Sequence, residues 1–244
     1  MIESKQNKFV KLVKELKTKK GRQQHKLLLV EGKKSVVDCL SLGVKCEFIL
    51  TNEATDFHPP DVQNYCVKNS IFEELTSQVT TQGIIGVFQQ PQMYDNKPTT
   101  NFIVLDGLQD PGNVGTILRT AVATGYKRVI LLDCVDVFSE KVVNSSMTSI
   151  FHLELQKIKR EDFVEKLKQW DLPLFVADLD GQNALQFSHN YAILGLVLGN
   201  EGNGVSDLVK TTATKTLTLP MEKNIESLNV AVSAGILMYL LKRN

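Results

Sequence analysis

The hydrophobic pattern changes character several times between residues 191 and 241, and each change predicts a different element. YAILGLVL at 191–198 is an unbroken apolar run, too short to cross a membrane, which predicts a central strand buried on both faces. Thr216 and Thr218 alternate with Leu217 and Leu219, the period of a half-exposed strand, and Pro220 stops it because proline cannot donate to a ladder. Leu228, Ala231, Val232, Gly235, Ile236, Tyr239 and Leu240 then recur at helical spacing, with Ser227 as the predicted N-cap. Between the two strands lies Gly199-Asn200-Glu201-Gly202-Asn203-Gly204, whose glycines let backbone approach a ligand at the carboxyl end of a strand. Phosphate is a poor guest there: Glu201 is negative, and no lysine follows the last glycine as a P-loop requires. Hydroxyls or a cationic ligand suit the loop better.

The preceding chain alternates helix and strand. Phe9, Leu12, Val13 and Leu16 mark the apolar face of an amphipathic helix, and Lys5, Lys8, Lys11 and Lys14 lie on its other side. A basic loop at 17–22 leads to a strand at 27–30, and Glu31-Gly32 opens a helix that ends near Gly43. Short strands at 48–50, 65–67 and 84–88, with a helix at 69–79 capped by Asn69, complete a small α/β unit. PQMYDNKPTT at 91–100 breaks every period and predicts a linker, which divides the chain into domains at 1–90 and 101–244. The second domain opens with a strand at 102–105 and a helix from Asn113, as N-cap, through Gly125. Strands at 129–132, 152–158 and 174–177 with helices between them predict an α/β fold with a mostly parallel sheet.

Composition adds a compartment and a partner. Cys39, Cys46, Cys66 and Cys134 have neither CxxC spacing nor a paired framework, and His25, His58, His152 and His189 have no metal spacing, so neither disulfides nor a metal is expected. The first residues lack an apolar core of signal-peptide length and no run reaches a membrane span, which predicts a cytoplasmic protein. The overall charge of +1 conceals an asymmetry: residues 1–34 carry eleven Lys/Arg against three Glu, net +8, and the remainder 17 against 24, net −7. So local a basic charge favours a polyanion, and nucleic acid fits best, through phosphate contacts; a solvated helix face is the plainer alternative. Trp170 and the scattered phenylalanines read as packing.

Two motifs frame the second domain. The first is Asp110-Pro111-Gly112-Asn113-Val114-Gly115-Thr116-Ile117-Leu118-Arg119-Thr120-Ala121. The second is Gly199-Asn200-Glu201-Gly202, followed by Leu219-Pro220-Met221 and Ser227-Leu228-Asn229-Val230-Ala231. By spacing alone Asn113 is a helix cap and Arg119 a surface ion-pair partner. Together the motifs resemble those of the SpoU/TrmH family of ribose 2′-O-methyltransferases, in the SPOUT superfamily. VEGKKSVVDCL and TQGIIGVFQQP, near the two ends of the first unit, are similar to the substrate-binding domain that precedes many SpoU catalytic domains. A Rossmann-type methyltransferase or dinucleotide enzyme is the weaker reading, because residues 106–112 do not supply GxGxxG after the first strand.

The resemblance implies an N-terminal RNA-binding α/β domain and a C-terminal α/β domain closed by a trefoil knot. It implies S-adenosylmethionine as cofactor, with Gly199, Gly202, Leu219, Met221 and Leu228 in its pocket, and Asn113, Arg119, Glu201, Ser227 and Asn229 around the reacting centre. RNA, ribosomal or transfer, is the implied substrate, and a homodimer the implied assembly, with Arg119 of one subunit serving the site of the other. Where the family commonly has arginine and glycine, this chain has Asn144 and Thr148, which alters the substrate contacts expected there. A non-catalytic RNA-binding or ribosome-assembly protein that kept the fold is the alternative, and S-adenosylmethionine binding separates the two.

Overall fold

The structure is a computed structural model that describes residues 1–224 and 227–242. In chain order its first elements are α1 (Lys8–Leu16), α2 (Lys19–His25), β1 (Leu27–Glu31), α3 (Lys33–Ser41), β2 (Cys46–Asn52), β3 (Asn64–Val67), α4 (Asn69–Leu75) and β4 (Ile84–Gln89). There follow β5 (Phe102–Asp106), α5 (Pro111–Thr124), β6 (Arg128–Leu132), α6 (Glu140–Ser146), β7 (Glu154–Lys157), α7 (Arg160–Trp170), β8 (Leu174–Asn183), β9 (Gly195–Gly199), α8 (Asp207–Lys210), β10 (Lys215–Thr218) and α9 (Val230–Leu240). They form two compact units: Met1–Pro91 with Asp136–Phe151, and Gln92–Val135 with the described residues from His152 onward.

In the first unit the sheet order is β1-β4-β2-β3, antiparallel except for the β2/β3 pair. The apolar face of α1 is centred slightly off its expected line: Val10, Val13 and Leu16 are buried completely against Leu29, Phe48, Leu50 and Val87, while Phe9 and Leu12 pack at its edges, partly buried. The basic stretch expected as a loop is instead largely α2, because the Thr18 hydroxyl accepts the Gly21 amide and caps it. Helix α4 stops at Leu75, short of the expected 79, since the next two residues serve the buried Glu31 carboxylate: the Thr76 hydroxyl, the Ser77 hydroxyl and the Ser77 amide donate to it at 2.7, 2.6 and 2.9 Å.

The segment Asp136–Phe151, expected in the second domain, groups with the first unit, where α6 packs on β1. A buried arginine explains the attachment. Arg22, 4% exposed, places its guanidinium on Asp136 at 2.7 Å and on the Leu16 and Lys17 carbonyls at 2.7 and 2.9 Å. Losing any of these acceptors would leave a buried charge poorly satisfied. In the same segment Met147 and Thr148 have φ of 46° and 65°, so Thr148 holds a left-handed backbone where the resembled family commonly has glycine.

The second unit is a six-stranded sheet in the order β10-β8-β9-β5-β6-β7, every pair parallel. Phe102, Val104, Ile130, Val176 and Val197 are fully buried beneath Phe163, Leu167 and Trp170 of α7. The chain steps from β5 outward to β6 and β7 and returns on the other side through β8 and β9. Strand order therefore reverses between β5 and β9, and the carboxyl ends of two such strands are where open α/β sheets bind ligands. The β8/β10 ladder is broken there: Thr216 pairs with Val176 but Leu217 with Gln182, so residues 177–181 bulge out of register. Among the described residues no helix is long and apolar enough to span a membrane, and no group of three or more His, Cys, Asp or Glu could hold a metal ion.

Candidate active site

The loop after β9 owes its shape to glycine and asparagine. A Cβ on Gly199 would lie 2.1 Å from the Gly204 carbonyl carbon and from the Val205 nitrogen, so no larger residue fits. Asn200 and Gly204 exchange both backbone hydrogen bonds at 2.9 Å, which closes a tight turn. Inside it the Asn200 side-chain oxygen accepts the amides of Gly202 and Asn203 at 3.0 and 3.2 Å, and its Nδ2 donates to the Gly107 carbonyl at 2.9 Å.

Beneath this turn lies a network that no motif of the sequence marks. Asp106, 1% exposed at the end of β5, accepts Arg160 Nε at 2.6 Å, and the amide and hydroxyl of Ser206 at 2.8 and 2.6 Å. Arg160 also bonds Asp133 through Nη1. An acidic residue closing an apolar strand was the one visible signal; Ser206 and Arg160 follow no local pattern.

A cavity of about 600 Å³ opens beside the turn, lined by the glycine-rich loop and by Leu198, Leu217, Leu219, Met221, Leu228 and Leu237 among others. Gly199, Gly202, Leu219, Met221 and Leu228, the residues expected around a cofactor, all line it, as do Glu201, Ser227 and Asn229. Two unforeseen charged residues join them, Asp178 from the β8 bulge and Lys210 at the end of α8, paired at 2.6 Å.

At the rim the expected reacting groups form a directed chain. Asn229 Nδ2 donates to Asn113 Oδ1 at 2.9 Å, and Asn113 Nδ2 donates to Glu201 Oε1 at 3.0 Å. Two cap assignments change as a result. The cap of α5 is Asp110, whose carboxylate accepts the Asn113 amide at 2.7 Å, so the Asn113 side chain is left to face Glu201. The cap of α9 is Asn229, whose Oδ1 accepts the amides of Ala231 and Val232, whereas Ser227 lies on the cavity wall. Asn229 thus uses its oxygen for the helix and its nitrogen for the rim.

A second hollow, of about 740 Å³, is lined by Asn113, Thr116, Asn229, Val232, Gly235, Ile236, Tyr239 and Leu240 along α5 and α9. Val232, Ile236, Tyr239 and Leu240 are 51, 37, 60 and 42% exposed, so α9 presents an apolar outer stripe as well as the buried face of Ala234, Leu237 and Met238. Arg119 lies on the exposed side of α5 and is not among the described residues lining either hollow.

Comparison with known proteins gives this geometry a family. Residues 100–239 match the SpoU rRNA Methylase family model, and residues 7–86 match the MRM3-like substrate binding domain. A 23S rRNA (guanosine(2553)-2′-O)-methyltransferase, RlmP, of Bacillus subtilis is 34% identical, over 99% of this chain and 98% of its own. A TrmH-family protein from Porphyromonas gingivalis superimposes with a TM-score of 0.86 at 32% identity, covering 99% of this chain and 98% of the other. An AdoMet-bound rRNA methyltransferase from Sinorhizobium meliloti reaches 0.86 at 26% identity, covering 98 and 95%. The chain therefore belongs to the SpoU rRNA methylase family.

Proposed function

We propose that the protein transfers a methyl group from S-adenosylmethionine to a ribose 2′-hydroxyl of structured RNA, ribosomal or transfer. The observation that carries this reading is the Asn229–Asn113–Glu201 chain on the rim of a cavity walled by glycine backbone and leucine. The cavity fits such a cofactor: its volume lies within the ~300–1,000 Å³ of small-molecule sites, and its walls offer bare backbone from Gly199 and Gly202 beside the apolar Leu198, Leu217, Leu219, Met221 and Leu228. S-adenosylmethionine supplies an electrophilic methyl group when bound.

The protein's own residues then position the acceptor. Asn113 and Asn229 hydrogen-bond without titrating, so they orient polar groups at the rim at any physiological pH. Glu201 is a negative charge suited to a cationic partner. Arg119 acts as a fixed positive charge that orients the 2′-hydroxyl and stabilises the negative charge developing on its oxygen; a guanidinium holds its proton too tightly to be a good base. Ser227 supplies a further hydrogen bond at the cavity wall, and a phosphate of the RNA assists removal of the proton.

Residues 1–90 hold the RNA, 91–100 link, and 101–244 carry the methyl transfer. Exposed Lys8, Lys11, Lys19 and Lys20 on α1 and α2 face phosphates, consistent with the substrate-binding model matched there. The apolar outer stripe of α9 pairs two copies into a homodimer, and each site is completed by Arg119 of the partner subunit. The protein works in the cytoplasm, in keeping with four free thiols.

Calorimetric titration with S-adenosylmethionine, followed by mapping of 2′-O-methyl groups in RNA from cells lacking the protein, tests the reading. Saturable one-to-one binding and the loss of a defined methylated nucleotide are expected. A protein that binds RNA but not S-adenosylmethionine would be the non-catalytic alternative.

A further inference from the structure

The charged pair on the cavity wall is not explained by folding alone. Asp178 and Lys210 leave 22 and 39% of their side chains exposed, and an ion pair in such contact with water contributes little to stability. Yet the structure holds the pair in place from both sides. Asp178 sits on the 177–181 bulge, where β8 leaves its ladder with β10, and its Oδ1 accepts the Leu179 amide at 2.7 Å. Lys210 ends α8, whose first residues follow Ser206, itself anchored on the buried Asp106. Burial pushes the Asp178 carboxyl upward, but the Lys210 hydrogen bond and backbone amides outweigh it and hold it below its ordinary value, while Lys210 is raised chiefly by the same bond. Both groups are therefore charged at neutral pH.

Glycine backbone and leucine can grip an adenosyl group, but they cannot tell S-adenosylmethionine from other adenosine compounds. What distinguishes it, besides its sulfonium, is a zwitterionic amino-acid end. Among the described lining residues the charged ones are Asp178, Glu201 and Lys210, and Glu201 already accepts from Asn113. Lys210 is the one lining cation among them, so a carboxylate entering this cavity has one charged partner. We infer that the Asp178–Lys210 pair is the subsite for the amino-acid end of the cofactor, Lys210 taking its carboxylate and Asp178 its ammonium. The inference rests on the cofactor assignment proposed above and adds to it a specificity site outside the family motifs.

Two nucleosides separate this inference from its foundation. S-adenosylhomocysteine carries the amino-acid end, and 5′-methylthioadenosine lacks it. In calorimetry, Lys210→Met should weaken S-adenosylhomocysteine about 10-fold while 5′-methylthioadenosine stays within about 2-fold, the loss of one charge-assisted hydrogen bond. Asp178→Asn should act the same way, and Lys210→Arg, which keeps the charge, should recover most of the affinity. The unmutated protein offers a check that needs no variant to fold: the carboxyl methyl ester of S-adenosylhomocysteine should bind about 10-fold more weakly than the free acid. Equal binding of ester and acid overturns the subsite, as does a parallel loss of both nucleosides in Lys210→Met, which would mark the pair as a strut. If the unmutated protein binds neither nucleoside, the cofactor pocket itself is misassigned, and the subsite falls with it.

Discussion

The loop of residues 199–206 has two polar sides that differ in kind. On its inner side the Asp106 carboxylate, 1% exposed, binds Arg160 and Ser206, and the Asn200 side chain binds the Gly107 carbonyl and the Gly202 and Asn203 amides. On its outer side Glu201, Asn113 and Asn229 form a chain of two hydrogen bonds in contact with solvent. The inner groups are committed to the turn, Asp106 alone accepting three hydrogen bonds. The outer ones retain lone pairs and protons that a ligand can use. Preorganisation divides along that line: a buried network fixes the turn so that an exposed one can be held in position. The first unit repeats the contrast, with Arg22 buried on Asp136 and two carbonyls while Lys8, Lys11, Lys19 and Lys20 stand in water.

If the division is real, damage to the two sides should read out differently. The largest effect is expected from Asp106→Ala, which strands the Ser206 amide and hydroxyl and one hydrogen bond of Arg160. A loss of about 3 kcal/mol follows, lowering the melting temperature by about 6–12 °C. Asn113→Ala should melt within about 2 °C of the unmutated protein, as surface substitutions do; equally early melting of both variants would erase the distinction between support and rim.

Next comes the proposed sharing of each site between two subunits. Arg119→Ala and Asn229→Ala homodimers should each lose about 100-fold or more in methyl transfer, whereas mixed dimers contain one doubly damaged and one intact site and should regain up to half the unmutated rate. Mixed dimers no more active than the parents would place Arg119 in its own subunit's site.

Leu228→Asp should weaken S-adenosylhomocysteine by about 30-fold, because an unpaired carboxylate then faces the apolar part of the ligand. Leu228 is 39% exposed and starts no buried cluster, so the melting curve should stay where it was. Retained affinity would move the adenosyl group elsewhere in the cavity.

The smallest effect per residue belongs to the basic face. Deleting α1 would remove Val10, Val13 and Leu16 from the core and confuse charge with folding. Changing Lys8, Lys11, Lys19 and Lys20 to Gln leaves the core intact. RNA affinity should fall and its logarithmic salt slope should flatten by about 0.7–0.9 for each phosphate that is no longer neutralised. An unchanged slope would make the lysines a solvated face, in contrast with Arg22→Ala, which should lower stability.

Much of this protein was legible in its sequence because the signals are local. Periods of 2 and 3.6 mark β10, α1 and α9, and the unbroken run before Gly199 marks β9 as a central strand. The residues of the cavity wall, Gly199, Leu219, Met221 and Leu228, were likewise visible, since each lies within a motif that is contiguous in the chain. Tertiary structure decided the rest. Apolar spacing says that a face is buried but not against what, so the strand order and the attachment of Asp136–Phe151 to the first unit had no local sign. Asn113 and Asp110 are both good caps by residue type; only the folded turn gave that role to Asp110 and turned Asn113 toward Glu201. The site itself is joined by bonds between residues 88, 100 and 116 positions apart. Whether such groups meet depends on how β5, β9 and α9 pack, because burial energy sets that packing and hydrogen-bond chemistry selects among its outcomes.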